Sequence, residues 1–286
     1  MSPIKVALAG ATGNLGVSVL EALLGAKLCV IVLSRIGGNS SKLAPHPNLT
    51  IIEVDFKSAP ALVAALRGVE VVISCLATLA IGSQTPLIDA AVAAGVRRFI
   101  PAEFGMDSRN PLCVEKANSN REFSYTGIAN GLFLDWGLRM GFIINPASHA
   151  ATLYNGGDVP FSTTTLADVA TATLGVIKSQ DQTANRILYI HSAVTTQNNL
   201  IQYAKDQEGK QWHTISKDTE EIRQESLAEL AKGTQGNINA AMDGFCICAS
   251  WNTEYGCDFS SHLDNDLLGV KTMNEVELRA LVGSFL

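Results

Sequence analysis

The stretch Gly10-Ala11-Thr12-Gly13-Asn14-Leu15-Gly16 follows the short apolar run Ile4-Lys5-Val6-Ala7-Leu8-Ala9. The pattern reads as a strand that ends in a glycine turn and opens directly into a helix. The first N–H groups of a helix have no partner within it and sit at the positive end of its dipole, so they attract anions. Glycines let a phosphate approach that backbone closely. The G-x-x-G-x-x-G spacing is a sister of the dinucleotide fingerprint, and the predicted chemistry is pyrophosphate binding rather than a plain turn.

A second residue narrows the ligand. The apolar run Leu28-Cys29-Val30-Ile31-Val32-Leu33 ends in Ser34-Arg35. In dinucleotide folds the residue at this strand end meets the adenosine ribose. An acid there suits the 2′-hydroxyl of NAD, and an arginine suits the 2′-phosphate of NADP. No Asp or Glu occurs from Leu28 to Thr50, so Arg35 favours NADP(H) over the alternative of a solvated surface arginine. Asp55-Phe56, at the end of the next strand, is placed near an adenine edge, although a helix cap explains Asp55 almost as well. Glu103, Asp107 and Tyr125 are the acid/base candidates further on. Each has a plainer role that ranks above catalysis: a loop-ordering acceptor, a turn residue and core packing.

Other chemistries lack their residues. Tyr125, Tyr154, Tyr189, Tyr203 and Tyr255 are followed four positions on by Ala129, Asp158, Ala193, Gln207 and Phe259, so no Tyr-x-x-x-Lys pair exists. No Gly-Lys-Ser/Thr follows a glycine-rich loop, and no Gly-x-Ser-x-Gly elbow occurs. The five histidines are scattered without metal-ligand spacing. The six cysteines show no Cys-x-x-Cys pair and read as reduced thiols of a cytosolic protein. Cys246-x-Cys248 is too tight for a zinc knuckle, and no metal site is expected.

The elements that must carry these residues alternate. Helices are predicted over 17–26 (Val17, Leu20, Leu23 and Leu24 inward), 59–66 and 84–94. Strands are predicted at Leu49–Val54, Val69–Cys75 and Val96–Pro101. Alternating apolar runs and amphipathic helices are the pattern of a doubly wound parallel sheet. The 286 residues, 47% hydrophobic and 17% charged, suit one large α/β unit plus a smaller part. The net charge of −6 argues against a nucleic-acid or anionic-membrane partner. No apolar run reaches membrane-spanning length, and no signal-peptide pattern precedes the first strand, so a cytoplasmic location is expected.

The crossover after Pro101 breaks the rhythm. A parallel connection needs a dozen or more residues, normally a helix with an apolar face. Before the next strand candidate at 123–128 lie Asn110-Pro111 and Asn118-Ser119-Asn120, which read as breakers. Only Leu112 to Ala117 remains, about one and a half turns.

Beyond the crossover, a strand and hairpin turn are predicted over 151–158, then a helix over 166–177 capped by Thr165-x-x-Asp168. Asp168 reads as a cap and not as a catalyst. A strand at 186–190, a helix at 198–207, a strand at 212–215 and helices near 219–232, 238–247 and 273–281 follow. This gives a Rossmann-type domain over 1–137 and a smaller α+β part over 138–286, with elements near 160–192 able to return to the first sheet.

The chain resembles the NmrA-like and isoflavone reductase-like family, atypical short-chain dehydrogenase/reductases, and is nearest to fungal members. The resemblance rests on Gly10–Gly16, Val71–Ser74, Arg98-Phe99-Ile100-Pro101-Ala102-Glu103-Phe104-Gly105, Tyr125–Gly131 and Asp264–Gly269. The family usually has serine where Ala102 stands. The resemblance implies an NADP(H)-dependent oxidoreductase that reduces small aromatic or polyketide-like metabolites, as in secondary metabolism. It also implies that Val114-Glu115-Lys116-Ala117 is the tail of a helix whose missing front half carries the family's catalytic lysine. Lys116 is the only lysine between Lys57 and Lys178; it matches the tail and is a weak catalytic candidate. The alternative is a non-enzymatic NADP(H) sensor like the NmrA-like regulators, and only this reading needs a protein partner.

Overall fold

The computed structural model describes residues 4–286. In chain order the elements are β1 (Lys5–Ala9), α1 (Asn14–Gly25), β2 (Cys29–Arg35), β3 (Leu49–Val54), α2 (Ala59–Ala65), β4 (Val71–Ser74), α3 (Gln84–Ala93), β5 (Arg98–Ile100), α4 (Pro111–Ser119) and β6 (Ser124–Ala129). Then come β7 (Leu132–Phe133), α5 (Leu134–Arg139), β8 (Ala150–Tyr154), β9 (Phe161–Thr164), α6 (Leu166–Lys178), α7 (Gln180–Thr183) and β10 (Arg186–Tyr189). The chain closes with β11 (Ala193–Thr195), α8 (Gln197–Glu208), β12 (His213–Lys217), α9 (Thr219–Ala231), α10 (Ile238–Trp251), α11 (Asn265–Leu268) and α12 (Glu275–Gly283).

Two compact units result: one of residues 1–129, 169–188 and 267–269, the other of 130–168, 189–266 and 270–286. In this division the first break falls at 129/130, and residues 169–188 return to the first unit.

The first unit is built on a seven-stranded sheet in the order β10-β6-β5-β4-β1-β2-β3. The pairs from β3 through β6 are all parallel. Val6, Ala7, Leu8 and Ala9 are fully buried, as expected for a central strand covered on both faces. Ala7 and Ala9 join Leu62, Leu66, Leu87, Ala91 and Cys113 in one core cluster beneath α2, α3 and α4. Strand order reverses beside β1, between β2 and β4, which is where ligands bind in open α/β sheets.

Local readings shift in three places. Helix α1 starts at Asn14, and its inward stripe is Leu15, Val19, Leu20 and Leu23, while Val17 is 43% exposed. Asn110-Pro111 does not break α4 but starts it. The Asn110 side chain accepts from the Cys113 N–H at 3.1 Å, with proline at a position where a missing N–H costs nothing. The helix also runs through Asn118-Ser119, to nine residues.

In the second unit, β8 does not turn back as a hairpin. It pairs in parallel with β12, His213 beside Ala150, and Asn155–Gly157 form a short 3₁₀ turn. Strands β11, β9 and β7 form a separate three-stranded sheet. Trp251 is fully buried, with Tyr154 stacked on it at 4.8 Å and Phe161 edge-on at 5.3 Å. Thr165 Oγ1 accepts from the Asp168 N–H at 3.1 Å, and the Asp168 carboxylate accepts from Thr165 and Ser192 hydroxyls. Asp168 is thus tied into the start of α6.

Candidate functional site

At the switch point of the first unit the ends of β1, β2 and β4 surround a cavity of about 260 Å³. Its lining includes Gly10 to Gly13, Ser34, Arg35, Gly38 to Ser40, Phe56, Cys75 to Ala77, Ala80 and Ser83. The glycines make this space. Gly10 has φ +84°, and a Cβ there would stand 2.3 Å from the Cys75 carbonyl oxygen. A Cβ on Gly16 would stand 2.0 Å from the Gly10 carbonyl oxygen. Only a bare backbone lets α1 seat against the end of β1 this closely. The cap residue of α1 is Gly13, which brings no capping side chain, so the helix start faces outward as free N–H groups.

Of the residues expected at a dinucleotide, Gly10, Ala11, Thr12, Gly13, Arg35 and Phe56 line this one cavity. Asn14, Leu15 and Gly16 stand behind it as the first turn of α1, with Leu15 and Gly16 buried. Asp55 is exposed and outside the lining. Its Oδ1 accepts from the Lys57 N–H at 2.9 Å, and Ser58, not Asp55, caps α2. A charged strand end served a turn here.

The charge of the cavity is one-sided. Arg35 is exposed at its rim, and no carboxylate is among the lining residues. Glu53, the nearest acid along β3, accepts from Ser40 Oγ at 3.3 Å. Burial pushes the Cys75 thiol up to about 12, so it lines the space as a neutral group.

The acid/base candidates are dispersed. The Glu103 carboxylate accepts from Ser108 Oγ at 2.5 Å and Asn110 Nδ2 at 3.1 Å, bracing the loop that leads into α4. Tyr125 is 7% exposed within the core under α4. Asp107 is exposed. Lys116 Nζ lies 2.9 Å from Asp89 Oδ1 on α3, and that contact raises its pKa. A crossover helix starts near the strand C-termini and runs back toward their starts. Lys116, in the last turns of α4, therefore lies away from the cavity end of the sheet.

The loop residues Ser34, Gly38 to Ser40, Cys75 to Ala77, Ala80 and Ser83 were not legible as site residues. The Gly37-Gly38 pair was the one available signal: a Cβ on Gly38 would meet the Arg35 carbonyl oxygen at 2.8 Å, so this glycine folds the loop back under Arg35. Gln84 was missed too. It is 3% exposed at the start of α3, and its Oε1 accepts from the Ala102 N–H at 2.7 Å, tying the loop after β5 to that helix. Among the described residues no group of three His, Cys, Asp or Glu side chains could hold a metal ion, and no helix is long and apolar enough to cross a membrane.

Comparison with known proteins follows this geometry. The NmrA-like family model matches residues 3–117. The oxidoreductase poxI of Penicillium oxalicum is 30% identical, across 98% of this chain and 94% of its own. The oxidoreductase aprR of Aspergillus flavus is 30% identical across 98% and 99%. The isoflavone reductase homolog IRL of Zea mays is 30% identical across 72% and 75%. Among solved structures, AtPrR2 with NADP+ and (+)pinoresinol superposes with a TM-score of 0.76 at 20% identity, covering 100% of both chains. The triphenylmethane reductase of Citrobacter sp., complexed with NADP(H), gives 0.72 at 23%, covering 99% and 100%. Fold and full-length similarity agree: the chain belongs to the NmrA-like, isoflavone reductase-like family.

Proposed function

We propose that this protein is an NADP(H)-dependent oxidoreductase of the isoflavone reductase type, reducing a small aromatic or polyketide-like metabolite in secondary metabolism. The observation that carries the cofactor is Arg35 at the rim of a carboxylate-free cavity whose floor is the glycine turn. The residues fit the group: side chains at positions 10 and 16 would strike backbone, and their absence opens the cradle a pyrophosphate needs. Gly10 to Gly16 would hold the pyrophosphate, Arg35 the 2′-phosphate, and Phe56 would border the adenine side.

A bound nicotinamide supplies the hydride chemistry, and the protein orients and polarises. Relatives carrying oxidoreductase names over nearly the full length support the reaction class. Loss of a general acid costs roughly 10²–10⁴-fold in rate, so slow turnover can survive without the family's lysine. The Lys116–Asp89 pair favours a second reading: a protein that keeps the cofactor cradle, has lost the proton donor, and reports NADP(H) occupancy to a protein partner.

Two measurements test the cofactor and separate the readings in turn. Binding titrations should give tighter NADPH than NADH; equal affinities would remove the NADP assignment. NADPH oxidation is then followed with a panel of enones and aromatic ketones. Turnover of any member supports the reductase, and tight NADPH binding with no turnover supports the sensor.

A further inference from the structure

A second cavity of the first unit, of about 360 Å³, lies around the starts of β5 and β6, the opposite strand ends from the glycine turn. Arg97, Arg98, Arg121, Glu122 and Asp181 are among its lining. Arg98 is only 2% exposed. Its Nε donates to Ser124 Oγ at 2.8 Å, and Nη1 donates to Thr126 Oγ1 at 2.9 Å and to Thr183 Oγ1 at 2.8 Å. Its Nη2 donates to the Gln180 carbonyl oxygen at 2.5 Å. These bonds use four of the five guanidinium donors, and every acceptor is neutral.

None of the ion pairs among the described residues involves Arg97, Arg98, Arg121, Glu122 or Asp181. A buried cation whose hydrogen-bond acceptors are all neutral is costly. Burial lowers the Arg98 pKa to about 10; Asp181 works against that fall and Arg97 adds to it. Arg97 and Arg121 are exposed, and three guanidiniums thus meet at one open cavity with no carboxylate neutralising them at contact distance.

We infer that this cavity binds a hydroxylated phosphate monoester, its dianion held by Arg97 and Arg121 in front of the fifth donor of Arg98. Guanidiniums suit phosphate because their paired N–H groups match its oxygens. Glu122 and Asp181 repel a bare anion but accept from hydroxyls, so the mixed rim fits an ester with a sugar-like body. The volume exceeds what a free phosphate needs. Nothing in the proposed reductase reaction uses this end of the sheet, so the inference stands or falls separately from that reading.

The test is thermal unfolding of the full chain with glucose 6-phosphate or inorganic phosphate, against sodium chloride at matched ionic strength. The Arg97→Ala/Arg121→Ala double variant is the control; both side chains are exposed, so the fold survives their loss. Glucose 6-phosphate should raise Tm saturably and at lower concentration than inorganic phosphate. The double variant should need about tenfold more ligand or worse. An inorganic phosphate response that equals the ester's, and is likewise lost in the variant, supports the arginine site with free phosphate as its ligand. No shift beyond that of sodium chloride overturns the site. So does an undiminished shift in the double variant, because the phosphate is then bound elsewhere, such as at the glycine turn.

Discussion

Lys116 Nζ and Asp89 Oδ1 stand 2.9 Å apart and join α4 to α3 on the outer layer of the first unit. The contact raises the lysine pKa, chiefly through the hydrogen bond to Asp89 and then through its charge. A catalytic lysine needs the reverse shift, toward the working pH. Lys116→Met should therefore leave NADPH binding and any NADPH oxidation within about twofold of wild type. A rate loss of two or more powers of ten, with unchanged Tm, would restore Lys116 as the proton donor.

We propose Arg35 as the cofactor discriminator. Arg35→Ala removes a charge-assisted contact to a phosphate, worth about 1.5–3 kcal/mol, or roughly ten- to a hundredfold in Kd. NADPH affinity should fall by that factor while NADH affinity stays level, as read by parallel titrations. Equal losses for the two cofactors would mean that Arg35 supports the fold or the pyrophosphate and not the 2′-phosphate.

These two residues also show what a linear reading reaches. Arg35 was legible because a buried parallel strand is a continuous apolar run, and its last residue has a fixed place in the fold. Gly10 to Gly16 were legible for the same reason. Asp55 was harder to read because a carboxylate at a strand end serves a turn as readily as a ligand, and its N–H partner at Lys57 is a matter of loop geometry. Asn110-Pro111 misled because a cap and a first-turn proline carry the same letters as a breaker. The hairpin expected after Tyr154 failed because the true partner, β12, lies some sixty residues downstream, and local turn chemistry says nothing about that pairing. The loop residues Ser40 and Cys75 reach the cavity only through that kind of long-range assembly.

Two glycines of α1 should respond oppositely to the same change. Gly16→Ala drives a methyl against the Gly10 carbonyl oxygen, 2.0 Å away, and both sides of that contact are backbone. Overpacking of this kind costs about 1–3 kcal/mol. Gly25, at the end of the same helix, has nothing within 4 Å of an added Cβ. Gly25→Ala should be neutral or stabilise by up to about 1 kcal/mol by restricting the unfolded chain. Urea unfolding midpoints check both. An unchanged midpoint for Gly16→Ala would show that the turn can relax, and the close seating of α1 on β1 would lose its significance.

His191 should set an acid limit to stability in the second unit. It is 3% exposed, and its Nδ1 lies 2.9 Å from Ser162 Oγ. Ser162 Oγ also accepts the Phe259 N–H at 2.9 Å, so the imidazole is fixed against a hydroxyl that is itself held in place. The His191 backbone is clamped on both sides by Asn265. Burial lowers the His191 pKa below its ordinary 6.5, while the charge of Asp258 opposes the shift in part. With the folded pKa below the unfolded one, the unfolded chain binds more protons between the two values. Stability therefore rises with pH across that window: it is complete above 6.5 and declines as pH falls from there toward the folded value. His191→Gln keeps an acceptor near Ser162 and removes the titration. The urea midpoint of wild type should drop between pH 7 and 5 more steeply than that of the variant. Parallel slopes would place the acid sensitivity in other groups and leave His191 a plain core residue.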